Sequence, residues 1–294
     1  MLPARLLLAV AAVLVASPGA GARLDAKPHG KIVFSGGSLG ATDIYTVRAD
    51  GSQFRQLTNT RGMEQSPSWA PDGKSFVYVK VVGNALYRMK AGGGKPRLLY
   101  RETSSGAAII QGPAWSPDGR RIAFSSPRLD GTWRIWTYGL DGRLVEVTRT
   151  FGYHPTWSPN GRQIAYGFPG GIAVVGFRGG RPRPLPNTSR ADTYPVWSPD
   201  GKWIAVQSVV KSSRQREVDS LDIVNPAGTV RKHLLRGGHI APQSWSPTSD
   251  AVLVSRGSGN PGDVQSQLFI VPLDGGKPRP VDGTNGANGA SWHR

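Results

Sequence analysis

The sequence predicts an all-β chain folded as a six-bladed β-propeller whose N- and C-terminal strands share one blade. Three observations lead there. A Pro-x-Trp-Ser-Pro-Asp-Gly phrase recurs at intervals of 40 to 48 residues, an apolar run of strand length follows each complete copy, and a sixth copy is cut short at the C-terminus while the N-terminal unit lacks one. Recurrence at that interval points to propeller blades or solenoid units.

The phrase stands nearly intact at 67–73, 113–119, 155–161 and 195–201, has decayed at 243–249, and ends the chain just past Trp292. From Trp69 onward the tryptophans are 46, 42, 40, 48 and 47 residues apart. Ser-Pro-Asp-Gly puts Pro at the second and Gly at the fourth position of a type I β-turn, so each phrase reads as a hairpin between two strands. Apolar runs at 76–80, 122–126, 164–168, 204–208 and 252–256 follow these turns, and 32–36 is a matching run with no turn before it. Third strands are expected at 43–47, 85–89, 134–138, 171–175, 221–224 and 267–271, then a Gly-containing turn such as Asp50-Gly51 or Asp141-Gly142. Outer strands such as 55–58 and 144–148 complete the units. Two residues follow Trp292 and 39 run from Lys31 through Trp69, so a blade split between the termini is as long as its siblings. A linear solenoid would need capping units and would not require that match.

Composition agrees. The 294 residues include 39 Gly and 24 Pro, which is turn-rich but below the level of a low-complexity chain, and 38% hydrophobic residues with nine Trp supply a core. The absence of cysteine excludes disulfides, thiolate metal sites and cysteine nucleophiles. A net charge of +17 favours anionic partners and says nothing of fold. The first residues read as an export signal: Arg5, an apolar stretch over 6–15 and the small residues Ala20-Gly21-Ala22. We therefore expect a signal peptide over 1–22, a short linker over 23–30 and a propeller over 31–294, with a periplasmic or secreted location. Ten apolar residues are too few to span a bilayer as a helix, no second such run follows, and an exported chain is not expected to meet nucleic acid.

The first strand of a blade lines the channel, so its start lies near one mouth. Four residues before the tryptophans stand Gln65, Gln111, Tyr153, Thr193, Ala241 and Asn288, with Glu64, His154, Asp192, Tyr194 and His239 close by. Glu64, Gln65, Gln111, Tyr153, His154, Thr193, Tyr194 and His239 form the candidate partner-binding ring. A Glu-and-His metal site is an alternative use, although no local spacing supports one. The tryptophans are expected to pack between blades, where a large ring contributes most. Gly36-Gly37-Ser38-Leu39-Gly40 formally matches a nucleophile elbow, yet no helical pattern follows it. Lys95-Pro96-Arg97, 181–184 and 277–280 fall where outer strands begin, and there Lys, Arg and Pro protect sheet edges.

The phrase, together with Asp-Ile-Tyr-x-Val at 43–47 and the unit endings Leu57-Thr58 and Val147-Thr148, resembles the repeat of TolB-type propellers over nearly all of 31–294. The same repeat occurs in peptidase propellers and sugar lyases. The family's namesake carries a mixed α/β domain ahead of its propeller, whereas only 23–30 separates the expected cleavage site from the first strand here. The resemblance implies an envelope protein whose propeller face binds another protein or peptide; we expect a monomer that takes no cofactor. A metal-assisted polysaccharide lyase and a binder of anionic cell-wall polymer are the alternatives.

Overall fold

The computed structural model describes residues 28–294 apart from 39–40, 61, 104–108, 212–216 and 258–265. The expected signal segment 1–22 and residues 23–27 of the linker lie outside the described residues. Every regular element among those described is a β-strand, and the 24 strands form six four-stranded antiparallel sheets. No helix there is long and apolar enough to cross a membrane.

After β1 (Lys31–Ser38), β2 (Ala41–Arg48) and β3 (Arg55–Gln56), blade 2 runs β4 (Glu64–Trp69), β5 (Ser75–Lys80), β6 (Ala85–Lys90) and β7 (Arg97–Arg101) from the channel outward. Blade 3 follows as β8 (Gln111–Trp115), β9 (Arg121–Pro127), β10 (Trp133–Gly139) and β11 (Leu144–Glu146). Blade 4 is β12 (Tyr153–Trp157), β13 (Gln163–Phe168), β14 (Gly171–Gly176) and β15 (Arg183–Pro184). Blade 5 is β16 (Asp192–Trp197), β17 (Ile204–Lys211), β18 (Glu217–Val224) and β19 (Arg231–Arg236). Blade 6 is β20 (His239–Trp245), β21 (Ala251–Gly257), β22 (Gln267–Pro272) and β23 (Arg279–Pro280). The final strand, β24 (Asn288–His293), pairs with β1 in the register Ile32↔Trp292 and completes blade 1, so the shared blade expected from the sequence is present.

Each blade packs between two others, which buries its second strand on both faces. That is why these strands read as continuous apolar runs instead of alternating ones. Phe76, Val77, Tyr78 and Val79 of β5 are at most 2% exposed, and Ile122–Phe124 and Val252–Val254 are fully buried. Burying each such side chain stabilises the fold by about 1.5–3 kcal/mol. The phrase turns close as expected: the amides of Gly73, Gly119, Gly161 and Gly201 donate to the carbonyls of Ala70, Ser116, Ser158 and Ser198. In the decayed copy Ser249 adopts φ 62° in the glycine position. Asp250 supplies the missing carboxylate, its Oδ1 accepting from Ser246 Oγ (2.5 Å) and Thr248 Oγ1 (2.7 Å).

The unit-ending threonines also gain a reason. Outer strands β3 and β11 stop after two or three residues, and the hydroxyls of Thr58 and Thr148 then accept the amides of Ile44 (2.8 Å) and Ile135 (3.0 Å). Thr284 does the same for Leu268 (3.1 Å). The hydroxyl takes over where the ladder ends, which keeps a buried donor satisfied.

Candidate functional site

The innermost strands β4, β8, β12, β16, β20 and β24 surround a channel cavity of about 770 Å³ whose wall is built from the phrases themselves. Prolines two residues before the tryptophan, Pro67, Pro113, Pro155 and Pro195, line it, as do all six tryptophans of the repeat. Five of these rings are buried, and each packs with residues of its own blade and its neighbour: Trp115 sits with Ala70, Val77 and Leu86 of blade 2 as well as Ile122 and Phe124 of blade 3.

The seams between blades follow a rule set by the residue before the tryptophan. Three of the four hydroxyl residues at this position accept the main-chain N–H of the next blade's tryptophan, Ser291 from Trp69, Thr156 from Trp197 and Ser244 from Trp292, each at 3.2 Å, and Ser68 is the exception. Where the residue is Ala114 or Val196, its carbonyl instead accepts the indole Nε1–H of Trp157 (3.0 Å) or Trp245 (2.8 Å). The indole nitrogens of Trp69, Trp115 and Trp197 are buried without a hydrogen-bond partner.

Three residues before the tryptophan the innermost strands kink. Ser66, Gly112, His154, Tyr194 and Gly289 take φ between 51° and 68°, and the pairing register shifts there in each blade. Pro242 occupies the sixth position and cannot adopt positive φ, so blade 6 skips one residue, Gln243, instead. Glycine visits this left-handed region freely, whereas a side chain there costs about 1–2 kcal/mol. Two of the five positions are glycine and two carry aromatic rings.

Those two rings meet. His154 and Tyr194, forty residues apart in sequence, pack with centroids 4.2 Å apart and planes tilted by 35° at the channel wall. Tyr153 meets His154 edge-on at 5.7 Å, and Phe151 meets Tyr153 in the same way. Burial pushes the His154 pKa down to about 4, so the ring is neutral at physiological pH. Burial, followed by the Asp219 carboxylate, holds the Tyr194 hydroxyl above its ordinary range; Tyr153 is raised by burial and then by Tyr194. Tyr194 remains 38% exposed, and Phe151, packed on Tyr153, is exposed as well, which leaves an aromatic surface at this mouth.

Of the eight residues singled out by sequence, His154 and Tyr194 line the cavity, and Tyr153 packs against His154. Thr193 is half-buried in the ladder opposite Gln207, and Gln65 likewise faces Val79. Gln111 is exposed and paired with Ser125. Glu64 turns away from the opening: it is 1% exposed, accepts from Thr60 Oγ1 at 2.5 Å and lies 3.7 Å from Lys80 Nζ, with its Oε2 unpartnered. His239 is exposed and its Nδ1 lies 2.8 Å from Asp219 Oδ2. Asp219 also accepts from Gln207 Nε2 (2.7 Å) and from the Ile240 amide (3.2 Å).

Asp219 and Gln207 thus belong to this mouth although the phrase gives no hint of them, because they come from β18 and β17 and no repeat marks their positions. Asp192, close to the ring by sequence, is fully buried. Arg231 grips it bidentately, at 2.7 Å to Oδ1 and 3.1 Å to Oδ2, and also reaches Asp222. This is a strut within blade 5. Among the described residues no three His, Asp or Glu side chains come together in a way that could hold a metal ion.

Comparison with known proteins follows the same outline. A TolB homolog from Chlorobium chlorochromatii (strain CaD3) is 29% identical over 104 residues, 35% of this chain and 19% of its own length, so the match spans less than a fifth of that relative. The crystal structure of TolB from Acinetobacter baumannii superposes with a TM-score of 0.74 at 21% identity over 90% of this chain and 66% of that one. An oligogalacturonate lyase in complex with manganese superposes at 0.60 and 17% identity, covering 85% of this chain and 73% of that one. The family profile of the TolB beta propeller domain matches residues 25–171, half of the chain. With six phrase-built blades and a terminal strand closing the ring, the chain belongs to the TolB β-propeller family.

Proposed function

We propose that this chain is an exported, non-catalytic binding module of the cell envelope that holds a protein or peptide partner at the mouth where His154 and Tyr194 meet. The observation that carries this reading is the aromatic pair itself: two rings on left-handed backbone, packed with centroids 4.2 Å apart at the wall of a concave site. Strain of this kind persists where the surrounding structure enforces it, and it concentrates at binding and catalytic sites. A concave site with few polar groups and rigid aromatic anchors suits recognition of a partner, and Tyr is enriched among the residues that dominate interface energy. The 1–22 segment supports export.

The test uses the partner recovered by affinity purification from the native envelope. Tyr153→Ala combined with Tyr194→Ala is expected to weaken its binding by about 2 kcal/mol or more, with little change in the melting temperature. Charge reversal at Arg181 and Arg183, on the outer edge, is expected to leave binding nearly intact. The opposite pattern would reject the mouth as the binding site. The rival reading, a metal-assisted polysaccharide lyase, has the fold of one neighbour behind it; manganese, zinc or iron bound near one per chain in purified protein would favour that reading over ours.

A further inference from the structure

The end of the channel opposite the His154 mouth repeats positive charge from blade to blade. In an antiparallel blade, the turn joining the first and second strands and the turn joining the third and fourth lie at the same end. All phrase turns, and the Lys-Pro-Arg and Arg-Pro-Arg starts of the outer strands, therefore crowd the end opposite the His154 mouth. Successive phrase turns touch. Gly119 lies against Pro71, Gly161 against Pro117 and Gly201 against Pro159, while Ser249 Oγ accepts the Asp200 amide at 3.1 Å. The turns thus form a collar around the channel exit.

The residue after each turn glycine is Lys74, Arg120, Arg162 or Lys202, so the collar carries four exposed cations. The turn's own Asp or Asn accepts the main-chain amide of that residue at 2.9–3.0 Å, which fixes where each side chain starts. Lys74, Arg120 and Arg162 make no ion pair among the described residues, and Lys202 reaches Asp200 at 3.4 Å with three quarters of its side chain in solvent. Beside them Arg121 and Arg178 flank the Phe177 ring, 5.0 and 5.2 Å from its centre, which holds further guanidinium groups at this end. Arg121 also pairs with Asp118 at 3.2 Å, and at the mouth end Lys80 pairs with Glu64 while Arg128 and Arg134 share Glu146.

We propose that the collar is a second binding surface, independent of the mouth, for a flexible phosphate-bearing polymer. Exposed cations set at repeated positions attract a polyanion whose charges also repeat, and Arg matches phosphate oxygens with its planar fork. A flexible chain can follow the curve of a collar, whereas a rigid duplex meets a few turns at most.

The test is titration of the purified chain with long-chain polyphosphate at increasing salt. The unsubstituted protein is expected to bind, with affinity falling as salt rises. The variant combining Lys74→Gln, Arg120→Gln, Arg162→Gln and Lys202→Gln should bind at least tenfold more weakly at low salt, and its log–log salt slope should shrink by about three, as expected for four lost phosphate contacts. A charge-matched control combining Arg101→Gln, Arg149→Gln, Arg190→Gln and Arg256→Gln removes as much charge from the mouth end and should bind nearly as well as the unsubstituted protein. Equal weakening by both variants would show that net charge alone is at work and would overturn the proposal, as would no binding by the unsubstituted chain. Equally tight binding of polygalacturonate or of duplex DNA, lost in the collar variant, would overturn the assignment to a flexible phosphate polymer.

Discussion

The mouth and the collar of one channel are built from the same six strands, yet they differ in almost every respect. At the collar five of the six blades make the same turn, blade 1 having none because its first two strands come from opposite ends of the chain, and even the decayed copy restores it by borrowing Asp250. At the mouth the backbone repeats its left-handed kink, but the side chains it carries are Ser66, Gly112, His154, Tyr194 and Gly289, with Pro242 breaking the pattern. The lesson is that a repeat constrains what local geometry needs. The turn fails without its residues, whereas the kink needs only a tolerable φ, so the mouth is free to differ from blade to blade and to carry a site.

The largest effect that could break this comparison is opening the ring, since both ends depend on closure. Deleting 286–294 removes β24, its pairing with β1 and the Trp69–Ser291 and Trp292–Ser244 seams. Native domains are stable by roughly 5–15 kcal/mol, so loss of a whole innermost strand should abolish the cooperative melt. A truncated chain melting like the intact one would mean that the shared blade does not close the ring.

Next comes acid. The folded chain holds His154 neutral down to about pH 4, while the unfolded chain protonates it near 6.5. Its contribution is therefore complete above pH 6.5 and is lost as pH falls toward 4. Because water still reaches part of the ring, the loss should be on the order of 2 kcal/mol, below the full value of the shift. Denaturant titrations at pH 7 and 4.5 should show this loss in the unsubstituted chain and a smaller one in His154→Gln. An unchanged pH dependence in that variant would place the sensitivity elsewhere.

The seam rule predicts a smaller difference. Trp157→Phe strands the Ala114 carbonyl, whereas Trp115→Phe removes an indole N–H that has no partner, so the first should cost about 1 kcal/mol more than the second in chemical unfolding. Equal costs would mean that the indole bonds contribute nothing.

The smallest effect concerns the kink itself. Ser66 at φ 53° stands where two other blades have glycine. Ser66→Gly relieves about 1–2 kcal/mol of left-handed strain and adds about 0.5–1 kcal/mol of backbone entropy to the unfolded chain, for a net gain near 0.5–1 kcal/mol. A loss in melting temperature would show that the serine side chain holds the kink in place.

The sequence by itself determined the blade count, the shared blade and the phrase turns. The physical reason is locality: proline fixes φ, glycine takes the left-handed position, and the intervening Asp bonds its own turn, all within four residues. Blade length then followed from counting between copies, and the predicted second and third strands begin or end within a few residues of the observed ones, from β5 (Ser75–Lys80) to β18 (Glu217–Val224). The mouth was only partly legible. The polar ring included Tyr153, His154 and Tyr194, but also Glu64, which the fold turns inward to Thr60 and Lys80. It omitted Asp219 and Gln207, which reach the same place from strands that carry no phrase. Tertiary structure decided these because contact at the mouth depends on how six blades converge on one axis and which way each bulge throws its side chain. Both are set by packing between residues forty or more positions apart, and no short window of sequence contains that information.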